Sequence, residues 1–314
     1  QSSEGPSTVS TSGTPGSGGA AAGSGGASVA AGGRLGNGAA AGSSGASAGS
    51  GSAGAGTGGL AGNTGSGSGD CAPGSFPTAD PSQAGPFATT TENNVGPESS
   101  FTLIRPETFD ESGLCHPVIT WGNGTGTTPS VYSALLNHLA SHGFVVIASN
   151  SENVAQGDPP PMVQGVTWVI EQNGDQASAL YGHVDVAHIG ATGHSQGALA
   201  TMRAGADERI TSIAPIEGSS SSRNLHGPAL LLCGGMDTTV PCSGHEAAFD
   251  SITNQPVMLA NQLAATHTNW VSRGGGGGTP NPFVVAVTGW MRVHLMGDSA
   301  LRPMFYGPDC TLCQ

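Results

Sequence analysis

The sequence predicts an α/β domain with a mostly parallel central sheet and helices on both faces. Three observations carry this reading. Short apolar runs of strand length recur from Ser100 to Leu263, and stretches with helical spacing of apolar residues fall between them. At residues 187–201 an apolar strand runs through Gly193-His-Ser195-Gln-Gly197 directly into a helix. Parallel strands need crossover helices and are buried on both faces, so they read as continuous apolar runs.

In chain order, Ser100–Arg105 reads as an early strand. Pro117-Val-Ile-Thr-Trp121 is a short buried strand, ended by Gly122-Asn-Gly-Thr-Gly126. Ser130–His142 sets Val131, Leu135, Leu136 and Leu139 on one face of a helix, which stops at Gly143. Phe144–Ala148 is the next buried strand, and the prolines at 159–161 precede a helix over Val163–Gln172. The strand before Ser195 and the helix after it follow. Further strands are expected near Ile210–Pro215, Ala229–Cys233 and Val257–Leu263, with helices around Glu246–Ile252 and Pro282–Met296.

The 53 glycines of the 314 residues are unevenly placed. Residues 1–70 are almost wholly Gly, Ser, Ala and Thr, charged only at Glu4, Arg34 and Asp70. No apolar periodicity offsets the entropy of ordering such a backbone, so a disordered, flexible tether is expected there. Residues 71–314 suffice for one domain with a sizeable core. The formal charge is −13 and all eight basic residues are arginines. Without lysine, Schiff-base chemistry and a Walker-A phosphate loop are excluded, and an acidic chain with scattered arginines argues against a nucleic-acid partner. No apolar run reaches the length of a membrane span.

Six cysteines (Cys71, Cys115, Cys233, Cys242, Cys310 and Cys313) together with the low-complexity leader favour disulfides and an oxidising compartment. Free buried thiols are the alternative. A zinc site on Cys310-x-x-Cys313 is disfavoured because no second ligand pair has matching spacing. The sequence opens at Gln1 with neither methionine nor signal segment, as a processed or trimmed chain would, so export is inferred rather than seen.

Ser195 is the candidate nucleophile. A serine hydroxyl attacks poorly unless held out of regular structure beside a base, and a sharp strand-to-helix turn achieves this when its neighbours are small. Gly193 and Gly197 supply the clearance. Gly45-Ala-Ser47-Ala-Gly49 matches the same pattern without strand or helix, so context carries the assignment. The base must lie in a loop at the carboxyl edge of the sheet. His267 follows a strand and the small residues Ala264-Ala-Thr266, whereas His245 and His294 lie on helices. Asp237 ends the strand Leu230–Cys233 after a glycine turn and can orient the His267 ring. Asp250 lies on a helix and Glu217 follows the wrong strand. An ordinary loop role for His267 and a turn or capping role for Asp237 are the alternatives.

The oxyanion hole needs two N–H groups: one from Gln196, the other from the loop holding Gly124 and Thr125. His194 is expected to pack or hydrogen-bond behind the turn, and Asp185 to act as a turn carboxylate. Gly274–Gly278 suggests a mobile rim.

With these residues placed, the chain resembles the cutinase and polyethylene-terephthalate-hydrolase-like branch of the α/β-hydrolases over roughly residues 85–313. The resemblance rests on Ala140-Ser-His-Gly-Phe-Val-Val-Ile147, Tyr181-Gly-His-Val-Asp185, Gly193–Gly197, Cys233-Gly-Gly-Met-Asp237 and His267. It implies an α/β-hydrolase catalytic domain over 71–314 with no lid, an open cleft, and a secreted serine esterase needing neither metal nor organic cofactor. It also implies that aromatic residues of the best polyester hydrolases fall on Thr125 and the Glu217-Gly-Ser219 stretch, so an aromatic clamp looks absent. Some of these enzymes tie the acid and histidine loops with a disulfide. No cysteine lies close after His267, so Cys233 is assigned to Cys242 and Cys310 to Cys313, leaving Cys71 and Cys115, among fifteen formal pairings.

The expected protein is therefore a secreted or surface-tethered carboxylic-ester hydrolase, with Ser195, His267 and Asp237 as its triad. A monomer is expected, with an ester substrate, polymers included. The alternatives are an acetyl or feruloyl esterase on plant polysaccharide, a non-catalytic adhesion module of the same fold, and an amidase or peptidase.

Overall fold

A computed structural model describes residues 34–36, 71–72, 74–109, 113–222, 224–269, 271 and 281–313. The glycine run at 274–278 and all of the tether except residues 34–36 lie outside the described residues.

Among the described residues there are nine strands, β1 (Arg34–Gly36), β2 (Thr89–Val95), β3 (Phe101–Pro106), β4 (His116–Gly122), β5 (Val145–Ser149), β6 (Val184–His194), β7 (Ile210–Ile216), β8 (Ala229–Gly234) and β9 (Val257–Gln262). They form one sheet in the order β1-β9-β8-β7-β6-β4-β5-β3-β2. From β5 to β9 every neighbouring pair is parallel. The antiparallel pairs are at the margins, β3 with β5, β2 with β3 and β1 with β9. The helices are α1 (Ser133–Ser141), α2 (Pro161–Gly174), α3 (Gln196–Ala204), α4 (Cys242–Ser251) and α5 (Pro282–Leu295).

The buried strands explain the two-sided cover. Alternate residues of a strand point to opposite faces. In β8, Ala229, Leu231 and Cys233 join one apolar cluster with residues of α2, α3 and α4, while Leu230 and Leu232 join a second with residues of α1 and α5. In β5, Val145 and Ile147 divide from Val146 and Ala148 in the same way. Each such side chain taken fully from water contributes about 1.5–3 kcal/mol, so these strands need apolar residues at every position.

The expected elements are present within a few residues, with three differences. Residues 129–132 form a 3₁₀ turn, and the α-helix begins only at Ser133. The strand β2 was not expected, because Thr-Thr-Thr-Glu-Asn-Asn-Val lacks an apolar run; it is an edge strand held by its ladder to β3. Three residues of the segment read as a tether, Arg34–Gly36, pair with Val257–Leu259 of β9. As expected, α1 stops at Gly143, whose φ of +100° favours glycine and where a Cβ would press on the rings of Phe76 and Phe87. Among the described residues no helix is long and apolar enough to cross a membrane.

Three disulfides join Cys71 to Cys115, Cys233 to Cys242 and Cys310 to Cys313. The second brackets the loop that carries Asp237. The third joins the two sulfurs considered above for zinc.

Candidate active site

Ser195 stands between β6 and α3 with φ +56° and ψ −116°. A non-glycine residue in that region costs about 1–3 kcal/mol and persists only where its surroundings impose it. Here Ser195 N–H donates to Ile216 O at 3.0 Å. Close backbone passage does the rest: a Cβ on Gly193 would lie 2.5 Å from Gly197 O, and one on Gly197 would collide with Gly122 O. The two glycines let β4, β6 and α3 meet beneath the serine.

His267 lies in the loop after β9 and Asp237 in the loop after β8. His267 Nδ1 is 2.7 Å from Asp237 Oδ2, and His267 Nε2 is 2.9 Å from Ser195 Oγ. A carboxylate only accepts, so Nδ1–H donates to Asp237 and the free Nε2 pair accepts the Ser195 hydroxyl. The other Asp237 oxygen accepts the N–H groups of Thr239 at 2.8 Å and Val240 at 2.9 Å, which fixes the carboxyl plane. The Asp237 side chain is sealed from solvent, whereas that of His267 is 15% exposed. The buried partner orients; the exposed one can exchange a proton with a ligand.

The loop after β4 is set by Asn123, which is fully buried. Its Oδ1 accepts Trp121 Nε1–H at 3.0 Å, and its Nδ2 donates to Ser149 O at the end of β5 and to Ser151 O just past it. Gly124 is corrected here as an oxyanion donor, because its N–H donates to Tyr132 Oη at 3.0 Å and is spent. The N–H groups of exposed Thr125 and of Gln196 take no acceptor among the described residues.

His194 points under the turn, as expected for a residue one place from Ser195 on a tight turn. Its Nδ1 meets Tyr132 Oη at 2.9 Å, and its Nε2 meets His267 O at 2.9 Å and Glu217 Oε2 at 3.3 Å. Glu217, set aside in the sequence for following the wrong strand, is fully buried at φ +50° just past β7. The stretch on which the resemblance placed an aromatic residue of other polyester hydrolases thus holds a carboxylate turned inward, in line with the expected lack of an aromatic clamp. The local sequence carries no signal for the His194–Glu217 contact. It follows from the parallel register, which sets His194 beside Ile216.

His245 is buried on α4, where burial lowers its pKa. His294 on α5 meets Tyr306 Oη at 3.0 Å. Asp185 accepts Ala187 N–H at 3.0 Å and contacts His188 Nδ1 at 2.8 Å, a turn carboxylate as read. Among the described residues one group has metal-ligand spacing, His194, Glu217 and His267, with ligand atoms within 4.8 Å of one another. Both ring nitrogens of each histidine already have protein partners.

The family model described as PET hydrolase-like matches residues 78–303, well over half of the chain. Cutinase est1 of Thermobifida alba is 28% identical over 152 residues, which are 46% of this chain and 50% of that relative. The chain thus spans about half the length of the curated relative it matches.

Proposed function

We propose that this chain, which belongs to the PET hydrolase-like family, is a carboxylic-ester hydrolase that works through a serine acyl-enzyme. The observation that carries the proposal is the unbroken hydrogen-bond chain from Asp237 Oδ2 through the His267 ring to Ser195 Oγ, on a serine held at positive φ.

Ser195 Oγ attacks the ester carbonyl carbon as its proton passes to His267 Nε2. Asp237 keeps Nδ1–H in place and stabilises the imidazolium that forms. The carbonyl electron pair moves onto oxygen, which faces the N–H groups of Gln196 and Thr125; loss of one such donor costs about 10²–10³-fold in rate. The tetrahedral intermediate then collapses, breaking the bond to the alcohol, which leaves with the proton from His267. In the second half, His267 takes a proton from water, the hydroxide oxygen bonds to the acyl carbon, and Ser195 Oγ leaves and is reprotonated.

Esters with apolar acyl groups, polymers included, are the proposed substrates. Met236, next to Asp237, is 60% exposed, and Leu263, against Gly235 of the same loop, is 46% exposed. Two exposed apolar side chains beside the acid loop suit an apolar ligand better than a sugar. Secretion or surface tethering through residues 1–70 is supported by three disulfides in a chain with no free cysteine among the described residues. A monomer is proposed.

The test is Ser195→Ala on short p-nitrophenyl esters. Activity should fall by about 10⁴–10⁶-fold, and fluorophosphonate labelling should vanish. Full activity in this variant overturns the proposal.

A further inference from the structure

We infer that Glu217, His194 and Tyr132 form a buried positioning relay that holds the loop of the base and the loop of the oxyanion donor in one frame; this rests on the ester-hydrolase reading above. The three residues come from separate parts of the chain. His194 ends β6, Glu217 follows β7, and Tyr132 lies in the 3₁₀ turn before α1. All are buried, at 3%, 0% and 3% exposure respectively.

The direction of the relay is fixed by what each atom can do. The carbonyl of His267 and the carboxylate of Glu217 only accept, so His194 carries its proton on Nε2 and donates to them at 2.9 and 3.3 Å. Its Nδ1 is then an acceptor and takes the Tyr132 hydroxyl proton at 2.9 Å. The phenol oxygen, having donated, accepts the Gly124 N–H at 3.0 Å. Thr127 closes the same loop by donating to Gly124 O at 2.7 Å. One order of protons thus runs from Gly124 to His267.

Each end of this order touches the reaction through the backbone. Asp237 fixes the ring of His267, and His194 fixes its main-chain carbonyl, with the two imidazole centroids 4.8 Å apart. At the other end, Gly124 directly precedes Thr125, whose N–H is the proposed oxyanion donor. Glu217 makes the order one-sided, because a carboxylate beside Nε2 favours the proton there over its exchange to Nδ1. A fully buried carboxylate is costly to maintain, and the contact of Glu217 Oε2 with His194 Nε2 at 3.3 Å offsets part of that cost. The effect on rate is through geometry, where a displacement of about 1 Å can cost about 10²-fold. These are positioning residues; none of the three touches the reacting atoms.

The test is a double-mutant cycle on the full chain with p-nitrophenyl butyrate, comparing wild type, Ser195→Ala, Tyr132→Phe, Glu217→Gln and the Tyr132→Phe/Glu217→Gln pair. Each single variant should lower kcat by about 10- to 100-fold with KM within about twofold. The pair should fall no further than the worse single, because both act through His194. Losses that multiply in the pair, or single variants that keep wild-type kcat, overturn the relay. Should Glu217→Gln not fold, His194→Gln takes its place in the cycle against Tyr132→Phe. A wild type no better than Ser195→Ala brings down the ester-hydrolase reading, and the relay with it. An active wild type matched by the Tyr132 and Glu217 variants brings down the relay alone.

Discussion

Past the carboxyl ends of β6, β8 and β9, Ser195, Asp237 and His267 meet beside solvent. Just before the amino end of β5, Arg292 ties the carbonyl of buried His142 to Asp298. Arg292, 1% exposed at its side chain, donates to Asp298 Oδ2 at 2.7 and 2.9 Å and to the carbonyls of His142 and Pro77. Both clusters pair a carboxylate with a cationic or basic group at similar distances. They differ in what is left over. The first has a histidine 15% exposed, a hydroxyl, and two N–H groups with no acceptor among the described residues. In the second, the guanidinium is spread over a carboxylate and two main-chain oxygens, and what is left over, His142 Nδ1, is buried away from any ligand. Chemistry needs leftover capacity that a ligand can reach, and stability needs none.

The sharpest way to break this comparison is Asp237→Asn. The amide oxygen can still accept the N–H groups of Thr239 and Val240, so the loop keeps its shape. The ring of His267 loses the acceptor that sets its tautomer, and kcat should fall by about 10⁴-fold. The melting temperature should move little. A variant that keeps a large part of its activity would show that Asp237 is only a turn residue.

Arg292→Met should do the reverse. It strands Asp298 and the buried carbonyl of His142, and breaking such a buried pair costs about 3–5 kcal/mol. Denaturant unfolding should report this as a lower midpoint at unchanged slope, while kcat per folded molecule stays within about twofold of wild type. A matching loss of kcat would mean that the two ends of the sheet are coupled.

What the sequence made legible follows the same division. Strands β4, β5 and β8 were readable because burial on both faces demands apolar residues at each position, and the turn at Gly193–Gly197 because sterics demand small ones. Strand β2 was not readable, since an edge strand is held by backbone hydrogen bonds that any side chain permits. Ser195 could be placed by its glycine-flanked turn, and Asp237 and His267 by their positions in loops after later strands. Gly124 was misjudged because nothing local reveals that Tyr132 Oη, eight residues on, claims its N–H. Glu217 was passed over for a related reason. Its partner is fixed by the register of β6 on β7, which is a property of the fold and not of either segment.

The smallest expected effect concerns acid, and it separates the two regions by pH. Burial holds His142 down to about 4, with further lowering from the nearby His138 and Arg292, against opposing contributions from Gln83 O and Asp80. Burial likewise holds His294 at about 4, with Arg302 adding to the effect. In the unfolded chain both return to about 6.5. Below that value the unfolded state binds more protons than the folded one, so stability is complete above about pH 6.5 and is lost as pH falls towards 4. The lowered carboxyls of Asp80 and Asp207 act in a separate window, below their ordinary value of 3.8. Thermal melts should therefore be flat above pH 7 and drop by a few degrees between pH 6.5 and 4.5. Replacing both histidines, as His142→Asn/His294→Gln, should shrink that drop, with a remainder from His138, His183 and His245, which burial also lowers, while leaving the acid loss below pH 4 in place. An unchanged slope in the double variant would place the acid sensitivity elsewhere than at these two buried histidines.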